Sequence, residues 1–538
     1  MKRACQNLTP KGMTNCEFHV SSIKNKKFKY MKNIFKLLAV IITTSIIYIS
    51  CDLNEDPPFL SSENVFATVE GADVALNGVF EAFAGFNYYS ADFHHATDFT
   101  SGLFVSGKRT DRSNIAALSP LSSQNYPTNL WRQMYVAISR CNDIIANIPT
   151  DSQDAELNNI LGMAYFLRAH TYFNLVRLYG GVPLHTEPAS SATLHKPRAS
   201  VEEVYNLIIA DAEKAKTLML DAAAQKNGRP GKLAANMLLA KVYMQLAGND
   251  NASANWQKAY DEAIQVFGQY SLVPNYGDLW SSIATANNNS ESIFEIQFNE
   301  ENNSRLTRLF TPNNAFAGRG WQRIRPNPET IDMHTDKYPD DPRIAFTFIS
   351  TYDKFPSGVI KVYPDANRSN FNKGFPYLYK YFIKDQSATT DANNFNYIQY
   401  RYADLLLMLA EIENELNGPD NAYQYVNEVL ARARNSGDSA VEPADWSGLA
   451  QDEFRAAIMR EYQYELLGEG HDWFVGRRRG YNFFKTNYID VHNTRIAIDN
   501  KNYDIEYPDD QKAMLLPIPS VEINSNQQIS ASDQNPGY

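Results

Sequence analysis

Across residues 161–184 the stretch LGMAYFLRAHTYFNLVRLYGGVPL sets Leu161, Tyr165, Ala169, Tyr172, Val176 and Tyr179 at steps of three and four, the stripe of an amphipathic helix. Phe166, Leu167 and Phe173 fall off that stripe. A helix apolar on more than one side must be covered on more than one side, as the inner helix of a stacked array is. Gly180, Gly181 and Pro183 end it, glycine by a left-handed cap and proline by lacking an amide hydrogen. The helical period holds through 68–270 and returns over 400–468, whereas 275–395 is rich in Asn, Pro, Gly and aromatics and lacks it. KLAANMLLAKVYMQLA and NWQKAYDEAIQVFGQY are parted by a break that includes residues 248–251, and YADLLLMLAEIENELN and NAYQYVNEVLARAR by Gly418, Pro419 and Asp420. Each pair predicts an antiparallel helical hairpin. The fold class expected is mostly α, with hairpins forming one scaffold and a long irregular insert carrying little β-structure.

Alanines at close-packing positions and the Leu161, Gly162, Tyr165 spacing resemble tetratricopeptide units, although no fixed 34-residue period recurs. An unrelated helical bundle is the alternative on periodicity alone.

The N-terminal pattern is different. Residues 37–50 are an uninterrupted apolar or small run of fourteen, too short for a bilayer-crossing helix of about 20. Lys32 and Lys36 precede it, so 31–50 reads as a secretory signal starting at Met31, with 1–30 an over-predicted start set aside from the fold. Cys51 follows directly, and YISC resembles the lipobox of bacterial lipoproteins, with Tyr48 where leucine is usual. That resemblance implies acylation of Cys51; an ordinary cleaved signal with Cys51 incidental is the alternative. Residues 51–67, with Asp52, Glu55 and Asp56, form an acidic tether, and 68–538 reads as one domain with a C-terminal closing segment over 469–538.

Charge and cysteine usage narrow the function. The first 50 positions hold nine of the 50 basic and one of the 61 acidic residues, leaving 41 and 60 over residues 51–538 and a formal charge of −19. Phosphate backbones would repel such a chain, which disfavours nucleic acid as a partner. With Cys5 and Cys16 upstream and Cys51 acylated, Cys141 stands alone, so no intramolecular disulfide is expected.

Signals for chemistry are thin. There is no HExxH, GxSxG, P-loop or CxxC pattern. ADFHHATDF gathers Asp92, His94, His95 and Asp98, but adjacent histidines on a loop seldom converge on one ion, so neither metal nor cofactor is expected. Trp131, Trp280 and Tyr135 sit in or beside helical apolar patterns and read as core. The run Arg477, Arg478, Arg479 reads as internally paired or solvated, with no ligand role.

Six stretches in order are similar to the SusD/RagB family of outer-membrane nutrient-binding lipoproteins: DVALNGVF, WRQMYVAISRCNDIIANIP, AYFLRAHTYFNLVRLYGGVPL, YRYADLLLMLAEIENELNG, REYQYELLGEGHDWFVGRRRG and LLPIPSVEINSNQQISASDQNPGY. The resemblance implies a tetratricopeptide-like scaffold with a variable loop surface, lipid-anchored at the outer membrane. It also implies docking on a SusC-like TonB-dependent transporter and ligand capture without catalysis.

Sugars present apolar C–H faces rimmed by hydroxyls, so their sites want exposed aromatics flanked by hydrogen-bonding side chains. Two stretches supply both. FNYYSADFHHATDFTSGLFVSGKRTDR offers Tyr88, Tyr89, Asp98, Phe104, Arg109 and Arg112, and NNAFAGRGWQRIRP offers Arg319, Trp321, Gln322 and Arg323. For Trp321, packing against its own loop is the competing reading. Three functions follow: an oligosaccharide-binding uptake lipoprotein, the same architecture binding oligopeptides, or a glycan hydrolase, whose paired carboxylates have no fixed sequence spacing.

Overall fold

A stack of antiparallel helices carries the structure. The computed structural model describes residues 65–105, 113–226, 228–312, 320–354, 357–364, 374–382, 394–438, 440–499 and 505–538. The expected leader, Cys51 and most of the expected tether lie outside the described residues. Before the insert run α1 (Val69–Ala84), the short α2 (Asp92–Thr97), α3 (Asn125–Asn147), α4 (Ala155–Tyr179), α5 (Val201–Leu218), α6 (Leu233–Ala247) and α7 (Asn255–Val266). Within it lie α8 (Leu306–Phe310) and α9 (Pro328–Lys337), and after it α10 (Tyr402–Asn417), α11 (Pro419–Asn435) and α12 (Gln451–Leu466). Each of α3 to α6 packs on the next, α7 packs on α10, and α10 packs on both α11 and α12. The hairpins expected from the sequence form, α6 with α7 and α10 with α11.

Helix α4 is buried on every side along most of its length, as its two-sided pattern requires. Asp154 caps it by accepting from the amides of Glu156 and Leu157, and Gly180 ends it at φ 74°. Gly162 allows α5 to approach: a Cβ there would lie 2.9 Å from the Leu218 Cβ and from the Met219 amide nitrogen. Arg168 then locks α4 to α5 through two hydrogen bonds to Asp211, at 2.7 and 2.8 Å, and reaches Asn142 on α3 at 2.8 Å. The C-terminal segment closes over the end of α4, the Leu516 amide donating to the Leu178 carbonyl at 2.7 Å.

The insert is anchored at its base. Strand β1 (Ser292–Ile296) pairs antiparallel with β2 (Tyr397–Arg401), which feeds directly into α10. Three further two-stranded pairs lie within or against the insert: Phe104–Val105 with Arg325–Pro326, Phe348–Ile349 with Tyr377–Leu378, and Thr351–Lys354 with Gly358–Lys361. Little β-structure was expected, and these pairs are short.

A buried ionic cluster ties insert to scaffold. Arg401 bonds Glu291, Glu465 and Glu469; Arg343 bonds Asp341, Glu461 and Glu465; Arg432 bonds Glu291 and Glu465; Lys380 bonds Glu469 at 2.6 Å. Glu461 and Glu465, four residues apart, share one face of α12, and Glu469 follows in the turn after the helix ends. Asp341, Arg343 and Lys380 come from the insert. An ion pair removed from water is held only where partners surround it, and these carboxylates have two or three partners each except Glu461. Burial raises the pKa of Glu461, whose Oε2 has no hydrogen-bond partner.

Trp131 and Trp280 are buried, as expected, whereas Tyr135 is half-buried with its hydroxyl donating to the Pro183 carbonyl at 2.9 Å. Arg478 pairs with Glu411 at 2.7 Å and Arg479 with Glu411 and Glu415. Arg477 lies between the rings of Trp473 and Phe484.

Candidate functional site

The chain leaving α1 turns at Phe86–Ser90 before entering α2, and that turn sends consecutive aromatics in opposite directions. Phe86 points outward, 44% exposed, while Tyr88 and Tyr89 have no exposed surface. Their rings stack with centroids 4.2 Å apart and planes 15° apart, against Phe83, Phe93 and Tyr397. Asn174 on α4 donates to both hydroxyls, at 3.1 Å to Tyr88 and 2.7 Å to Tyr89. Asn174 Nδ2, which only donates, also lies 3.3 Å from His170 Nε2, so that nitrogen accepts, taking the Tyr89 proton at 2.6 Å, and His170 Nδ1–H donates to the Tyr400 hydroxyl at 2.7 Å. Burial pushes the Tyr88 phenol up to about 12 and brings His170 down to about 3, so the network is neutral.

The expectation of exposed platforms at Tyr88, Tyr89 and Phe104 is therefore corrected. All three are interior, Phe104 in its strand pair with Arg325–Pro326. Asp98 is interior too, accepting from His94 Nδ1 at 2.8 Å. The physical reason is that aromatic density reads alike for a core and for a binding surface. The turn and α2, not anticipated in this stretch, swing these side chains inward. Arg109, Arg112 and Arg319 lie outside the described residues.

The second nominated stretch does reach the surface. Trp321, Gln322 and Arg323 are each half-buried and run beside α8, held by backbone bonds from the Gln322 amide to Thr311 (3.1 Å) and the Arg323 amide to Leu309 (2.9 Å). Gln322 adopts φ 47°, a left-handed conformation uncommon for a residue other than glycine. Its Oε1 accepts from the buried Tyr377 hydroxyl at 3.1 Å, so its side chain is a brace. Trp321 meets Phe86 edge-on, ring centres 6.4 Å apart and planes at 64°. The Arg323 guanidinium lies 4.2 Å from the Trp321 ring centre and that of Arg308 5.3 Å.

Behind the patch, Arg323 Nη1 is 3.4 Å from His95 Nε2, and His95 Nδ1 is 3.0 Å from Asp92 Oδ1. Tyr126, half-buried at the start of α3, stacks on His95 at 4.3 Å. The two adjacent histidines thus serve separate carboxylates, His94 with Asp98 and His95 with Asp92. Phe86, Arg308 and Tyr126 were not nominated from the sequence. Phe86 lay beside two nominated tyrosines, but Arg308 and Tyr126 join only through long-range contacts that no local pattern announces.

A model described as the SusD family matches residues 242–538, and one described as starch-binding associating with outer membrane matches 78–244. The chain belongs to the SusD family. SusD-like protein P2 of Formosa agariphila is 27% identical, covering 94% of this chain and 99% of its own. Among solved structures, a SusD homolog from Bacteroides thetaiotaomicron superposes with TM-score 0.74 at 23% identity, covering 89% of this chain and 98% of that one. Surface glycan-binding protein A from Bacteroides uniformis gives TM-score 0.68 at 23% identity, covering 87% and 99%. In this SusD-family chain the Phe86–Trp321 patch draws on both matched regions, Phe86, His95 and Tyr126 from the first and Arg308, Trp321 and Arg323 from the second. The site is assembled by the fold.

Proposed function

We propose that this chain captures oligosaccharides at the outer membrane and passes them to a SusC-like TonB-dependent transporter, without chemical turnover. One observation carries the reading: a half-exposed aromatic pair, Phe86 and Trp321, edged by hydrogen-bonding side chains on a SusD-family scaffold. An indole and a phenyl ring offer flat apolar area for sugar C–H faces, and arginine supplies donors for hydroxyls. The glycan-binding relative of the same fold supports the ligand class. An acylated Cys51 on a short tether would hold the domain at the membrane, since two or more acyl chains give stable anchoring where one does not. Such an open surface gives dissociation constants of order 10 µM to 1 mM, compatible with capture and release.

A glycan array followed by calorimetry tests this. Trp321→Ala is expected to weaken the best array ligand by about tenfold, as loss of one aromatic contact worth roughly 1–1.5 kcal/mol would. Unchanged affinity removes Trp321 from the site. Binding to peptides alone moves the chain to the oligopeptide reading, and turnover abolished by one carboxylate substitution moves it to the hydrolases. Purification from solubilised outer membranes is expected to bring a large β-barrel protein along.

A further inference from the structure

Resting on that reading of the surface, we propose that the captured glycan is anionic, with a carboxylate or sulfate group placed against Arg323 beside Trp321. A guanidinium lying against an aromatic ring is oriented by it while its N–H edge stays open to a planar or tripodal oxyanion. Arg323 is also held from behind. A guanidinium only donates, so His95 Nε2 accepts from Arg323 Nη1 at 3.4 Å, and the ring proton sits on Nδ1, donating to Asp92 Oδ1 at 3.0 Å. Asn129 donates to the second oxygen of Asp92 at 3.1 Å, and Asp92 and His95 are fully buried. The guanidinium is thereby backed by the His95 ring, and the Asp92 carboxylate lies on the far side of that ring. Among the described residues Arg323 has no carboxylate partner, and Arg308 adds a second guanidinium at the same indole. This local positive charge stands in a chain with eleven more acidic than basic residues. A neutral sugar would use these groups only through hydroxyls, whereas a carboxylate or sulfate makes charge-assisted hydrogen bonds with the same atoms.

The test is calorimetry on the purified protein with two matched pairs: an oligouronide and its carboxyl-reduced form, and a sulfated oligosaccharide and its desulfated form. At least one anionic member is expected to bind about tenfold or more tightly than its neutral counterpart, and the pair that shows this identifies carboxylate or sulfate. Arg323→Gln is expected to shrink the ratio below about threefold, weakening the anionic member more than the neutral one, with the melting temperature unchanged. Should Arg323→Gln prove unstable, Arg323→Lys, which keeps the charge and loses the planar fork, is expected to retain only part of the preference. Equal affinity within both pairs overturns the charge preference and leaves glycan capture standing. A preference that survives both Arg323→Gln and the double substitution with Arg308→Gln overturns its assignment to this site. Binding to no member of either pair overturns the inference, and the broader array of neutral glycans then decides separately whether capture itself fails.

Discussion

Replacing Arg401 with methionine tests whether the buried ionic cluster holds the insert to the helical scaffold. The Arg401 side chain is 1% exposed, with Nη1 donating to Glu291 (2.6 Å) and Glu465 (2.7 Å), Nε to Glu469 (2.7 Å) and Nη2 to the Glu465 carbonyl (3.0 Å). Methionine fills much of the same space, so the change removes charge and donors more than packing. Glu291 and Glu465 keep Arg432, and Glu469 keeps Lys380. Removing one member of a buried ionic group costs about 3–5 kcal/mol, because the remaining charges stay out of water. An unfolding entropy near 2 cal/mol/K per residue amounts to about 1 kcal/mol/K for a chain of this size, so the melting temperature should fall by about 3–5 °C. Acid gives a second readout. Burial alone would raise the Glu465 pKa, but Arg432, Arg401 and Arg343 outweigh it and hold it at about 2. A folded pKa below the ordinary 4.5 stabilises the protein above that value, and the contribution is lost as pH falls towards 2. Without Arg401 the Glu465 pKa rises towards its ordinary value, so the gap between variant and parent should narrow from about pH 6 to about pH 3. Scanning calorimetry across that range decides it. A melting temperature within about 1 °C of the parent, or a gap constant with pH, refutes the role given to the cluster.

Three further outcomes are expected. Burial, reinforced by Asp98, pushes the Asp472 carboxyl up to about 8, so the folded state keeps a proton that the unfolded chain releases near 4, and stability falls as pH rises between those values. Asp472→Asn cannot ionise and should gain on the parent across that window, by about 1 kcal/mol or more at its upper end; a melting-temperature difference flat in pH argues against it. Gly162→Val places carbon against the Met219 backbone, where a Cβ is already at 2.9 Å, and should cost about 1–3 kcal/mol in chemical denaturation, so an unchanged midpoint would show that α5 can shift. Cys51→Ala should release the protein from the membrane fraction, and a variant that stays bound after a high-salt wash and still incorporates labelled fatty acid would exclude Cys51 as the anchor.

The helical scaffold was legible because its cause is local. Two-sided burial of α4 shows in Phe166, Leu167 and Phe173 falling off the main stripe, and the hairpins show in Gly248 and Gly418, which sit at φ 58° and 85° where their helices end. The insert was legible only as an interruption. Its α9 begins with Pro328 at the first helical position, a start signal present in the sequence, but ten residues of mixed polarity carry little period. The pairing of β1 with β2 joins segments about a hundred residues apart, and the register is set by tertiary packing rather than by a turn. The ionic cluster had one local sign, Glu461, Glu465 and Glu469 at steps of four. In an acidic chain such spacing also fits a solvated face, and only the partners from the insert distinguish the two.

Of the candidate patch, Trp321 and Arg323 were nominated from the sequence, whereas Phe86, Arg308 and Tyr126 were not. Tyr88 and Tyr89 were nominated for their aromatic surface, yet that surface is spent on Phe83, Phe93 and each other, and both hydroxyls are fixed by Asn174. Buried in this way they anchor the turn that carries Phe86. Asp92 and His95 stand in the same relation to Arg323: interior groups fix a half-exposed one. On the proposed function, a surface that recognises flexible sugars at modest affinity gains from this division. Each exposed group is ordered before the ligand arrives, so less of the small binding energy is lost to immobilising side chains. Loosening the interior should therefore weaken binding even where no ligand contact is touched. Tyr89→Phe, which keeps the ring and removes the bond to His170, is expected to lower glycan affinity less than Trp321→Ala does, with a larger drop in melting temperature.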